Sequence, residues 1–328
     1  MGTFKGVQVT QADGKLSAQV AELTDADLDQ GDVTIKVDFS TVNYKDGLAV
    51  TGLGGFIKRF PMIPGIDLAG TVEASSHAGF KPGDRVVLNG YELGVTHHGG
   101  FAQRARVRGD WLVKLPESIS NRHAAAIGTA GFAAMLSVLA LERGGVRGGD
   151  VVVTGAAGGV GSVAIAILAK LGYRVLASTG RASEEAYLRS LGAAEIIDRA
   201  TLSSPPQRPL GAERWNGAID TVGSHTLVNV LAQTKYGGTV AACGLAQGMD
   251  LTGNMAPFIL RGVTLNGIDT VNAPMEIRQR AWARLATDLD PALLDSMATV
   301  IGLGDAAGRA VQVLKGAVRG RTLVDVNA

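Results

Sequence analysis

Between Val151 and Gly172 the chain reads VVVTGAAGGVGSVAIAILAKLG. A hydrophobic strand ending at Thr154, a turn of small residues and an apolar-periodic helix opening near Gly159 deliver backbone N–H groups and a helix N-terminus to one point. Such a point suits a pyrophosphate. The turn fits A-x-G-x-x-G through Ala156, Gly158 and Gly161, with Gly155 beside it for flexibility. The backbone of Ala157, Gly158, Gly159, Val160 and Gly161 is therefore the expected phosphate cradle. The plain alternative is a tight strand-to-helix turn without a ligand.

Dinucleotide sites that take NAD place an acid at the end of the second strand, about 20 residues on, for the ribose 2′-hydroxyl. Here that strand ends in Ser178, Thr179, Gly180 and Arg181. A hydroxyl, a flexible glycine and a permanent guanidinium suit a 2′-phosphate, so NADP(H) is expected over NAD(H). Glu184 and Glu185 follow in the next helix, where acids complement the dipole. Arg199, after the third strand, either flanks the adenine or is an ordinary surface arginine.

Elements with a matching texture surround this turn. Six short β-like runs, at 151–155, 174–178, 195–198, 217–223, 239–244 and 263–269, alternate at first with helical stretches, the pattern of a doubly wound parallel sheet. Before Asn121 the chain has short strand-like runs and Gly/Pro punctuation, as at 32–42, 68–74, 85–88, 104–107 and 111–114. A charged helical stretch after Pro274 reaches about Leu289, and GRTLVDVN at 320–327 again reads as a strand.

The 328 residues suggest two domains of about 150 each. Glycine, 45 of 328, is about twice its usual share without any collagen-like period, so it marks turns and close approaches. With 31 basic and 30 acidic side chains the net charge is +1, which argues against a nucleic-acid partner. The single cysteine, Cys243, excludes an internal disulfide and a thiolate zinc site, and reads as a small apolar filler. The N-terminus has no signal-peptide pattern; the uncharged run from Ala124 to Leu141, interrupted by Gly128 and Gly131, reads as a buried helix instead of a membrane span. A cytoplasmic protein is expected.

NYKD at 43–46, PMIPGIDLAGTV at 61–72, KPGDRV at 81–86, GTAGFAA at 128–134 and TGAAGGVGS at 154–162 together resemble the medium-chain dehydrogenase/reductase superfamily. Through NYKDGLAVTG, GDWLVKLP, YGGTVAACGLA, PFILRGVTLNGIDT and GRTLV the chain is most similar to its zinc-free, quinone-oxidoreductase-like branch and to bacterial NADPH-dependent acryloyl-CoA reductases. The resemblance implies an α/β protein: a β-rich GroES-like catalytic domain at 1–122, a Rossmann NADP-binding domain at 123–290 with six parallel strands, and a C-terminal return at 291–328. The active site would lie in the cleft between domains. Zinc members carry G-H-E and a cysteine ligand; this chain has Gly65-Ile66-Asp67 and no cysteine at 42–45, so no metal is expected. His97 and His98 with Glu92 fit no common ligand spacing.

The implied reaction is hydride addition to the β-carbon of an enoyl thioester, acryloyl-CoA going to propionyl-CoA, with an enolate needing hydrogen-bond donors. Asn43, Tyr44 and the Thr129 hydroxyl are the candidate catalytic groups, with nearby backbone N–H groups as further donors. Tyr44 is also expected to position the nicotinamide; a free phenol titrates near ~10, which leaves water as the rival proton donor. Leu245, Ile259 and Thr270 are expected to wall the nicotinamide, with Asn327 reaching it. Arg261, Lys58 and Arg59 are possible CoA phosphate contacts. Two rival readings share the chain: an NADPH:quinone oxidoreductase on the same fold, and a non-catalytic NADPH-binding module. A homodimer paired through the sixth strand, Val263 to Ile268, is the expected assembly.

Overall fold

The structure is a computed structural model that describes residues 2–328. The strands are, in order, β1 (Phe4–Ala12), β2 (Lys15–Leu23), β3 (Val33–Thr41), β4 (Asp67–Ser75), β5 (Arg85–Asn89), β6 (Arg104–Val107) and β7 (Val113–Lys114). Then come β8 (Asp150–Val153), β9 (Arg174–Thr179), β10 (Ala193–Asp198), β11 (Trp215–Asp220), β12 (Thr234–Ala242) and β13 (Thr264–Gly267), and finally β14 (Ala298–Gly302) and β15 (Arg321–Asp325). They fall into two compact units. One holds residues 1–129, 270–286 and 294–328; the other holds 130–269 and 287–293. Residues 123–129 and 270–286, expected in the Rossmann domain, thus pack with the first unit.

In the first unit a seven-stranded sheet runs β14-β15-β3-β4-β5-β7, with β6 also paired to β3. Strand β3 shows why. Val33, Ile35 and Val37 alternate inward and are fully buried while Lys36 points out, the period-2 signature of a sheet with one dry face. The C-terminal β15 joins this sheet antiparallel to β3, pairing Leu323 with Thr41. The tail therefore belongs to the β-rich unit.

In the second unit six parallel strands run β10-β9-β8-β11-β12-β13. In their own chain order this is 3-2-1-4-5-6, the doubly wound arrangement whose ligand site lies where the order reverses, between β8 and β11. Val151, Val152 and Val153 of β8 are fully buried, as a strand covered on both faces requires. Trp215 anchors the far side, its indole N–H donating to Val230 O (3.1 Å) and Thr234 Oγ1 (3.2 Å).

Three helices matter below: α1 (Tyr44–Thr51), α2 (Asn121–Arg143) and α3 (Gly159–Lys170). The apolar stretch of α2 is long enough to cross a membrane, but 89% of it is buried within the protein. Its register is also broken at Gly128, whose φ of 49° and ψ of −160° lie outside the helical region.

Candidate active site

In the second unit, β8 hands over to α3 through Gly155, at φ +59°. Gly158 caps the helix, and its own N–H is spent on Gly155 O at 2.9 Å, so it contributes space and not the donor expected of it. Among the described residues no acceptor takes the N–H of Ala157, Gly159, Val160 or Gly161. Four donors at the N-terminus of a twelve-residue helix form a seat for a doubly charged diphosphate. Gly161 makes the close approach: a Cβ there would lie 2.5 Å from Gly155 O and 2.7 Å from Ala156 Cα.

Behind the turn stands a carboxylate that the sequence did not single out. Asp220, buried at the end of β11, accepts from Thr154 Oγ1 (2.7 Å) and Gly223 N (2.7 Å). Thr154 Oγ1 in turn accepts from Thr221 N at 3.0 Å, so the ends of β8 and β11 are tied together where the strand order reverses. Burial pushes the Asp220 carboxyl up, opposed by these hydrogen bonds.

Two arginines flank the end of β9 along the chain or across the sheet. A Cβ on Gly180 would lie 2.3 Å from Arg199 Nε, so a side chain there would displace that guanidinium. Arg199 N also donates to Thr179 O at 3.0 Å, which fixes its backbone beside the β9 terminus. Arg181, next in the chain, is held only by Glu184 at 3.8 Å, and its N–H donates to Thr179 Oγ1 at 3.2 Å. The hydroxyl of Ser178 is buried without a partner among the described residues. The Arg199 guanidinium beside Gly180, the neighbouring Arg181, the N–H donors of the turn and an orphaned hydroxyl fit a phosphorylated dinucleotide. Arg199, ambiguous in sequence, lies against Gly180 at the end of β9.

In the first unit the NYKD segment builds a different kind of site. Asn43 caps α1, and Asp46 Oδ2 accepts from its backbone N–H at 2.7 Å, while Asp46 Oδ1 accepts from Ile66 N at 3.0 Å. Tyr44 opens the helix and is 39% exposed. At the centre is Asp67, 1% exposed. Its Oδ2 accepts from Thr41 Oγ1 (2.6 Å), Asn43 Nδ2 (2.8 Å) and Thr129 N (2.8 Å). Its Oδ1 accepts from Asn89 Nδ2 (2.7 Å) and Thr129 Oγ1 (2.6 Å). Arg321, also buried, donates from Nε to Ala126 O at 2.8 Å, and its charge acts on Asp67 and Asp46. Burial pulls that guanidinium below its ordinary value.

This network corrects two expectations. The Thr129 hydroxyl and the Asn43 amide, expected as donors to an enolate oxygen, are turned inward instead: the hydroxyl donates to Asp67, and Asn43 Nδ2 donates to Asp67 and lies 3.3 Å from Thr41 Oγ1 and 3.4 Å from Thr41 O. A hydroxyl has one proton, and a carboxylate with five donors only accepts.

Burial, with the nearby Asp67 charge adding to it, pushes the Asp46 carboxyl from 3.8 up to about 7. The folded chain therefore holds a proton that the unfolded chain releases near pH ~4. This contribution to stability is full below that pH and falls as the pH rises towards about 7. Urea denaturation across this range will show a loss approaching about 1.4 kcal/mol per pH unit from this group. Asp46→Asn will flatten the slope; a variant curve parallel to wild type removes the assignment.

The remaining candidates sort by location. Leu245 (44% exposed) and Ile259 (72% exposed) are not core residues, and Leu245 lies beside Gly223 at the end of β11. Thr270, expected to flank the Rossmann sheet as a nicotinamide wall, is buried in the first unit, and its carbonyl is taken by Arg278 Nη2 at 2.9 Å. Asn327 is exposed, with Nδ2 at 3.4 Å from Val37 O. Arg261 donates to the carbonyls of Ala232, Thr234 and Gly211, Arg59 pairs with Asp29, and Lys58 donates to Gly55 O. Arg59 and Arg261, which also pairs with Glu213 at 3.3 Å, are thus committed within the chain, while exposed Lys58 keeps its charge. His98 Nδ1 accepts from Ile63 N (3.0 Å) and His97 Nε2 meets Arg106 O (2.7 Å), so both rings hold loops. Burial pushes the Cys243 thiol to about 12, which leaves it unreactive.

A β-rich unit, a 3-2-1-4-5-6 sheet with a phosphate turn, and a polar cluster at the NYKD segment define the medium-chain dehydrogenase/reductase family, and the chain belongs to it. The Alcohol dehydrogenase GroES-like domain family matches residues 29–117, and the Zinc-binding dehydrogenase family matches 159–287. The chain is 52% identical to the acrylyl-CoA reductase AcuI of Ruegeria pomeroyi over 98% of both chains. It is 42% identical to the putative quinone oxidoreductase YhfP of Bacillus subtilis, again over 98% of both. The crystal structure of the yhdH oxidoreductase from Salmonella enterica in complex with NADP superposes with a TM-score of 0.96 at 52% identity, covering 98% of this chain and 99% of that one.

Proposed function

We propose that this protein is an NADPH-dependent oxidoreductase that reduces the activated C=C bond of a short enoyl-CoA, acryloyl-CoA to propionyl-CoA. The observation that carries the reading is the full-length likeness to an acrylyl-CoA reductase combined with the cradle at 157–161 and the Arg199 guanidinium at Gly180. NADPH, when bound, supplies the hydride to the β-carbon. The N–H groups of Ala157, Gly159, Val160 and Gly161 hold its diphosphate, and Arg181 with Arg199 hold its 2′-phosphate. With the Thr129 hydroxyl and the Asn43 amide turned to Asp67 and Thr41, Tyr44 and nearby backbone N–H groups are the candidate donors for the thioester oxygen, and water delivers the α-proton. The chemistry uses no zinc. The same reading takes the protein as a cytoplasmic homodimer paired through the β13 edge; sedimentation as a monomer removes that part.

Steady-state NADPH oxidation with acryloyl-CoA, crotonyl-CoA and a quinone series tests the activity. The expected order places acryloyl-CoA first by kcat/KM. Quinone rates far above it would make the protein a quinone oxidoreductase, and tight NADPH binding without turnover would make it a binding module. Arg181→Ala will raise the KM for NADPH about tenfold or more while leaving that for NADH unchanged, as the loss of a charge-assisted phosphate contact predicts. An unchanged NADPH/NADH ratio refutes the phosphate assignment.

A further inference from the structure

We propose that the second unit carries a further small-molecule site, for a medium-chain fatty-acid carboxylate, beside the proline-rich loop at 203–209. This loop, SSPPQRP, follows β10 and takes no part in the sites above. Together with the segment at 251–255 it borders a groove of about 390 Å³, within the size range of small-molecule pockets. The floor is apolar. Val228 and Leu231, three residues apart on one face of the helix Ser224–Ala232, share it with Pro257 and Phe258 of the helix Ala256–Arg261. At the rim Leu251 and Met255 are 51% and 63% exposed, large apolar side chains left in water that a bound alkyl chain would cover.

The lining holds one cation and no acid. Arg208 is exposed, with neither an ion pair nor a hydrogen bond among the described residues. Asn254 Oδ1 accepts from Ala256 N at 2.9 Å, while its Nδ2 donors are unspent. The loop that carries Arg208 is fixed at both ends: Asn229 Nδ2 donates to Leu202 O and Ser204 O, both at 2.7 Å, and Gly211 N donates to Ala232 O at 2.8 Å. Between these ties Pro205, Pro206 and Pro209 stiffen the backbone, so the guanidinium is presented at little entropic cost. Its planar fork matches a carboxylate through two parallel bonds. A phosphate would leave its second charge without a partner, and a neutral alcohol would leave the cation unused. An aliphatic chain ending in a carboxylate meets both the apolar floor and the single charge.

Isothermal titration of the full chain with sodium octanoate, octan-1-ol and acetate tests this. Octanoate will bind one to one and about tenfold more tightly than octan-1-ol, the worth of one charge-assisted contact, and acetate will give no saturable heat. Arg208→Ala will bring octanoate to the level of octan-1-ol. Leu251→Asp, at an exposed position that accepts a polar side chain, will weaken both ligands, and octanoate more, because its carboxylate then faces a like charge. Equal affinities in wild type, or a preference for octanoate that survives Arg208→Ala, overturn the proposal. So does an octanoate Kd that rises with added NADP+ or propionyl-CoA, which would put the carboxylate in the cofactor or catalytic site. A wild-type oligomer that Leu251→Asp dissociates in sedimentation, without octanoate uptake, overturns it in favour of a second copy of the chain as the occupant.

Discussion

Asp67→Ala will lower the unfolding free energy by about 3–5 kcal/mol, the largest stability effect expected of any single side chain in the first unit. The substitution strands five donors: Thr41 Oγ1, Asn43 Nδ2, Asn89 Nδ2 and two from Thr129. It also leaves the buried Arg321 guanidinium without its principal counter-charge. Each stranded donor carries its own desolvation penalty, and domains of this size are stable by only about 5–15 kcal/mol. Asp67→Asn will fall between, because its amide oxygen still accepts while its NH2 faces donors. The midpoint of urea denaturation decides. A shift worth less than about 1 kcal/mol for Asp67→Ala would mean that water satisfies these groups and that the cluster is not a structural hub.

Gly161→Ala will weaken NADPH binding by about 10²-fold or more, the largest functional effect expected from adding a single methyl group. Its Cβ would meet Gly155 O at 2.5 Å and both Ala156 Cα and Ala156 O at 2.7 Å. All three are backbone atoms at the end of β8, so no rotamer relieves the contact and α3 must move away from the strand. That motion carries the N–H groups of Ala157, Gly159 and Val160 off their common point. Fluorescence titration with NADPH measures the loss. Gly308→Ala, at an exposed helical position with nothing within 4 Å of the added carbon, is the matched control and will bind as wild type does. Unchanged affinity in Gly161→Ala would falsify the phosphate seat.

The six strands of the second unit were legible because each is a short Val/Ile-rich run and the turn after the first is a contiguous string of small residues. Arg181 could be singled out for the same local reason: it stands two residues past the end of the second strand. Arg199 was ambiguous, since only the parallel pairing of β10 with β9 brings it over Gly180. Asp67 was noticed only as the residue standing where a zinc enzyme has a glutamate. Its partners come from β3, the α1 cap, β5 and the restart of α2, and no spacing in the sequence joins Thr41, Asn43, Asn89 and Thr129. Arg261 and Arg59 read as possible CoA phosphate contacts because their carbonyl and carboxylate partners lie 50 and 30 residues away along the chain.

By itself the sequence determined the alternation of strand and helix, the phosphate turn, the absence of thiolate metal ligands and the family. These are properties of neighbouring residues, set by period, by side-chain size and by backbone freedom. Only the tertiary structure decided the direction of hydrogen bonds. Whether a threonine or an asparagine donates or accepts depends on which partner has already taken its protons. In this protein that partner is a buried aspartate 62 residues from Thr129.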